Sequence, residues 1–112
     1  MKLKDIKEQR RISKRVPSSL VVKFLQDDAL CYGIVTNISD NGMCIQSGNC
    51  LPCDSQIKLQ IPLKDTLLEV PVKVMRVVKT DDFYETMGVE LLKPTKKYLK
   101  IVDSIRMSLE TV

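Results

Sequence analysis

The sequence predicts an all-β fold with a terminal helix: a six-stranded antiparallel β-barrel followed by one C-terminal α-helix. Three observations carry this. From Ser19 onward, apolar and polar residues alternate with period two in short runs. Turn residues separate the runs at Gln26-Asp27-Asp28, Ser39-Asp40-Asn41-Gly42, Lys64-Asp65-Thr66 and Thr80-Asp81-Asp82. Only the last segment changes to helical spacing. Six antiparallel strands within about 75 residues point to a closed or nearly closed barrel, because closure removes exposed edges.

The elements follow in order. Leu20, Val22 and Phe24 alternate with Val21, Lys23 and Leu25 in a first strand. The second covers about Leu30 to Ile38 and ends in an Asn-Gly signal, one of the strongest for a tight turn. A brief third run spans Met43 to Gln46. Ile57, Leu59, Ile61 and Leu63 form a half-buried fourth strand. A fifth runs from Leu67 to Lys79, with Leu68, Val70, Val72, Val74 and Val78 on one face and Arg76 interrupting it. Pro62 and Pro71 cannot donate to a ladder, which places them at edges or bulges. The sixth strand covers about Phe83 to Leu92.

In the last segment Tyr98, Ile101, Val102, Ile105 and Leu109 recur at helical spacing, and Pro94 or Thr95 marks the start. The apolar stripe is expected to cover an open end or side of the barrel. A homodimer through this helix is the alternative.

A chain of 112 residues has room for one core. It divides into a basic N-terminal arm (1–18), the barrel (19–93) and the helix segment (94–112). Residues 1–18 carry seven basic side chains against two acidic, a net +5, while the remainder carries eleven against twelve, a net −1. The excess positive charge is confined to the arm, which suits an anionic partner. No run approaches the roughly 18 apolar residues of a membrane span, and no apolar segment follows the charged start as in a secretory signal. The expected location is the cytoplasm.

Catalytic and metal readings find little support. The chain has no histidine, the commonest general base, and its four glycines, at 33, 42, 48 and 88, make no phosphate-binding loop. No catalytic residue is assigned. Cys50-Leu51-Pro52-Cys53 is a Cys-x-x-Cys, yet it falls between strands, and only Cys31 and Cys44 remain as further ligands. No metal or cofactor is assigned. A single-stranded nucleic-acid surface needs stacking aromatics, and the chain has only Phe24, Tyr32, Phe83, Tyr84 and Tyr98. Nucleic acid is therefore the weaker partner class.

Arg11 and Arg15 form Arg-x-x-x-Arg just before the first strand, and Asn37-Ile38-Ser39-Asp40-Asn41-Gly42 forms Asn-x-Ser-x-x-Gly after the second. Taken together, in this order and on these elements, the motifs resemble those of the PilZ domain family over about Gln9 to Leu109. The family's fold, a six-stranded antiparallel barrel followed by a helix, agrees with the order of elements read above. Gly88-Val89-Glu90-Leu91 is similar to the family's usual last strand.

The resemblance implies binding of cyclic di-GMP, a dianion with two guanines. Arg11 and Arg15 carry over as clamps, since a guanidinium forks onto a phosphate or onto guanine O6 and N7. Asn37 is expected at a guanine edge with Ser39 bonding beside it. Gly42 is expected either at positive φ or where the ligand passes too close for a β-carbon. Many members have Asp where this chain has Asn37, and the amide lowers the expected affinity. Arg10, next to the first motif, goes in the family with binding of an intercalated ligand dimer. The implied role is a receptor or adaptor whose arm changes conformation on binding and signals to an unidentified protein effector, in motility, polysaccharide or virulence control. A ligand-independent protein-interaction module of the same fold is the alternative.

Overall fold

The computed structural model describes residues 15–79 and 82–110. The strands are β1 (Val16–Gln26), β2 (Ala29–Ser39), β3 (Gly42–Ser47), β4 (Gln56–Pro62), β5 (Leu67–Lys79) and β6 (Glu85–Leu91), followed by helix α1 (Lys96–Glu110). They close into an antiparallel barrel in the order β1-β2-β3-β6-β5-β4, with Lys23 opposite Gln60 at the β1–β4 seam. β1 begins at Val16, so the barrel takes in three residues that the sequence assigned to the arm. The cause is visible in the ladder: Val16 pairs with Ile38 and Pro17 with Asn37.

The alternating residues fill the barrel. Val22, Phe24, Val35, Ile38, Met43, Ile45, Leu59, Ile61, Val72, Val74 and Met87 are almost wholly excluded from solvent. Burying a side chain of this size contributes roughly 1.5–3 kcal/mol before ordering costs. Helix α1 adds Tyr98 and Val102 to the same core. Thr95 is its N-cap, with Oγ1 accepting from Tyr98 N at 3.2 Å. Among the described residues no helix is long and apolar enough to cross a membrane.

Two strand assignments change. Pro71 is neither at an edge nor at a bulge: it sits within β5, opposite Lys58. Its carbonyl accepts from Leu92 N at 3.0 Å, beyond the last β6 pair, Val72–Leu91. In an antiparallel ladder N–H and C=O of one residue face the same neighbour, so the missing donor faces Leu92, just past the last β6 pair, and the ladder ends there. Val78 is exposed rather than inward, because the ladder shifts register between Val74 and Arg76.

Candidate ligand-binding site

Arg15 leaves the barrel one residue before β1, and its side chain folds back over the outer wall. Nη1 donates to Asn37 Oδ1 at 2.9 Å and, more weakly, to Cys44 Sγ at 3.7 Å. The two sequence motifs thus meet through a direct hydrogen bond. Cys44 is buried beneath the guanidinium but is not part of the core cluster that holds Cys31.

The wall around this contact is built from one rung of the sheet. Pro17, Asn37, Cys44, Gly88 and Arg76 lie side by side across β1, β2, β3, β6 and β5. Three bulges adjoin that rung, between Pro17 and Leu20, Val35 and Asn37, and Val74 and Arg76. A bulge re-aims the side chains that follow it. In β5 strict alternation would send Arg76 inward after Val72 and Val74; the extra residue, Met75, turns Arg76 out to solvent and tucks Val77 partly inside. The stem of Arg76 then lies across Gly88, where a β-carbon would meet its Cγ and Nε at 3.2 Å.

A cleft of about 300 Å³ opens here, lined by Arg15, Asn41, Gly42, Arg76, Gly88 and Glu90, with Met75 and Val89. Its hollow shape follows from composition, since Gly42 and Gly88 contribute no side chains. Its polar lining includes two guanidinium groups, a chemistry suited to a phosphorylated or guanine-bearing ligand.

Beside the cleft, the turn between β2 and β3 is held from three sides. Leu91 N donates to Asn41 O at 3.0 Å, and the Tyr98 hydroxyl donates to Ser39 O at 2.6 Å. Arg106 faces Asp40 at 3.7 Å. Burial, then the nearby Asp40, push the Tyr98 hydroxyl well above its ordinary pKa, with Arg15 opposing. It is a neutral donor throughout the physiological range.

The family model described as PilZ domain matches residues 9–105, which is most of the chain. The chain belongs to the PilZ domain family. Solved structures agree in fold. The PilZ domain of YcgR from Escherichia coli, determined with c-di-GMP, has a TM-score of 0.68 at 12% identity, over 92% of this chain and 96% of that one. The Bacillus subtilis inhibitor of motility MotI/DgrA has a TM-score of 0.71 at 18% identity; 93% of this chain is covered, but only 53% of that one. The PilZ domain of CeSA from a cellulose-synthesizing bacterium gives 0.59 at 16%, over 88% and 99%. No curated protein matches the chain.

The expected PilZ residues are placed unevenly. Arg15, Asn37 and Gly42 come together; Arg10 and Arg11 lie outside the described residues. Ser39 is buried, and its hydroxyl donates to Asn41 Oδ1 at 2.9 Å, inside the turn rather than toward the cleft. Gly42 does not have positive φ. Its need for glycine comes from β6: a β-carbon would stand 2.7 Å from Val89 O. The only positive φ values among the described non-glycine residues are at Asp27, Asp28 and Asp54, so the Asn-Gly signal marks the turn's position but not its hand.

Arg76, Gly88 and Glu90 were not read as site residues from the sequence. The signal was the lone arginine on the apolar face of the fifth strand, which a bulge had to relieve. Cys50 and Cys53 are free thiols in the connection from β3 to β4, and burial followed by Glu85 raises the Cys50 pKa, which keeps it a thiol.

Proposed function

We propose that this chain is a cyclic di-GMP receptor. The observation that carries the reading is the 2.9 Å bond from Arg15 to Asn37, which joins the two ligand motifs at the rim of a cationic cleft. Arg15 offers its remaining guanidinium donors to a phosphate or to guanine O6 and N7. Asn37, its Oδ1 engaged by Arg15, keeps an amide N–H for an acceptor on the base. Ser39 acts through the shape of the turn. Arg11 is four residues upstream in the chain, within about 14 Å of chain reach, and is assigned to the same ligand as a second guanidinium donor. Arg10 adds the charge that a stacked pair of dianions requires. The similarity to a YcgR domain determined with c-di-GMP supports the same ligand here.

Isothermal titration with cyclic di-GMP tests this. Arg11→Ala and Arg15→Ala should each weaken binding about tenfold or more; unchanged affinity in both variants refutes the assignment. Arg10→Ala should lower the stoichiometry from two ligands per chain to one.

Output to a protein partner is the second part of the reading. The outer face of β1 and β2 exposes Val21, Leu25, Leu30, Tyr32 and Ile34, with Val21 opposite Ile34 and Leu25 opposite Leu30. A contiguous apolar patch of this kind suits a protein interface. Replacing Leu25 and Tyr32 by Ser should abolish effector capture while cyclic di-GMP affinity stays unchanged. Retained capture by the double variant counts against this surface.

A further inference from the structure

Two of the residues lining the cleft, Arg76 and Glu90, fall outside both motifs. They are diagonal neighbours on the outer wall. Arg76 stands opposite Gly88, and Glu90 is two residues further along β6, on the same face as Gly88. Diagonal neighbours of this kind have β-carbons about 7–8 Å apart or somewhat less, with the bare Gly88 position between them here. Neither side chain is neutralised by the other charges described. Among the described residues the ion pairs are Lys73–Asp54, Arg106–Asp40 and Arg106–Asp103. Lys73, the cross-strand neighbour of Glu90, is directed to Asp54 at 3.7 Å.

The chemistry of this pair matches one base. Guanine presents two acceptors, O6 and N7, on one edge, and two donors, N1–H and the N2 amino group, on the next. A guanidinium satisfies the first and a carboxylate the second. Adenine reverses the donor at position 6 and lacks the N2 amino group, so it fits neither. We infer that Arg76 and Glu90 form a guanine-reading pair, with Arg76 on O6 and N7 and Glu90 on N1–H and N2–H. The bulge at Met75 and the missing side chain of Gly88 hold Arg76 in place for this. Glu90 also supplies the carboxylate that Asn37 does not. The inference rests on the cyclic di-GMP reading and assigns base selectivity within that site.

A carboxylate beside a dianion gives the test a clear sign. If Glu90 is a bystander it repels the phosphates, and removing its charge tightens binding; if it reads guanine, removal weakens binding. Dissociation constants are measured by titration calorimetry for cyclic di-GMP and cyclic di-AMP with the wild-type chain, Glu90→Gln and Arg76→Ala. Glu90→Gln should weaken cyclic di-GMP binding about tenfold while cyclic di-AMP binds no more weakly than before. Arg76→Ala should weaken cyclic di-GMP about tenfold and cyclic di-AMP less. Gly88→Ala, whose β-carbon meets the flexible Arg76 side chain first, should cost about threefold by displacing it. Equal or tighter cyclic di-GMP binding by Glu90→Gln overturns the pair, as does equal weakening of both dinucleotides by Arg76→Ala. If the wild-type chain binds no cyclic di-GMP, the receptor reading itself fails and the pair falls with it.

Discussion

Arg15 and Asn37, separated by 22 positions in the chain, are joined by a 2.9 Å hydrogen bond from Nη1 to Oδ1. The amide orients the cation before any ligand arrives, so part of the ordering cost of binding is met in the fold. Asn37→Ala should therefore weaken cyclic di-GMP binding about tenfold, because both a ligand contact and the orientation of Arg15 are lost. The thermal midpoint should move little, since the pair is on the surface. Calorimetry and a melt together check this; wild-type affinity in the variant counts against the pairing.

The two cleft glycines should respond differently to alanine. At Gly42 the β-carbon collides with backbone, Val89 O at 2.7 Å, whereas at Gly88 its nearest neighbours are side-chain atoms of Arg76 at 3.2 Å. Gly42→Ala should cost about 1–3 kcal/mol of stability through overpacking. Gly88→Ala should leave the melting temperature nearly unchanged. Thermal melts distinguish them, and equal losses would contradict the strand contact.

Tyr98 fastens α1 to the β2–β3 turn through its 2.6 Å bond to Ser39 O. Tyr98→Phe leaves that carbonyl short of a donor in a buried place and should destabilise by about 1–3 kcal/mol.

The same hydroxyl gives a pH signature. Its folded pKa is raised above the ordinary 10.0, chiefly by burial. The stabilisation is complete below pH 10.0 and is lost as pH rises toward the folded value, because the unfolded state ionises first. Denaturant melts at rising alkaline pH should show a steeper decline for the wild-type chain than for Tyr98→Phe. Parallel curves would contradict the assignment.

Arg106 ties the helix to the same turn, 3.7 Å from Asp40 and 3.2 Å from Asp103. Arg106→Ala should cost about 1 kcal/mol or more, since the Asp40 contact is largely shielded from solvent and loses more than an exposed pair does. Its effect should not simply add to that of Tyr98→Phe, since both anchor one turn. A double-mutant cycle by chemical denaturation measures the coupling.

The barrel, the helix and the turn at Asp40-Asn41 were legible from alternation and turn chemistry alone, because each strand half-faces a core and must alternate. Arg15 and Asn37 were legible as motif residues. The roles of Ser39 and Gly42 were not: the first is set by a hydroxyl bond inside the turn and the second by the closeness of β6. Pro71 was misplaced because its tolerance depends on where a neighbouring strand ends.

The sequence alone determined most of the residues that enter the core, where the chain turns and where the positive charge gathers, since these follow from local period and composition. Only tertiary structure decided that Arg76, Gly88 and Glu90 join Arg15 around one cleft. They come from strands that the closed barrel makes neighbours, and a single extra residue at Met75 reverses the direction of the arginine. Local pattern marks the arginine as out of place on its face but carries no record of which strands close around it, because register between distant strands is a property of the whole fold.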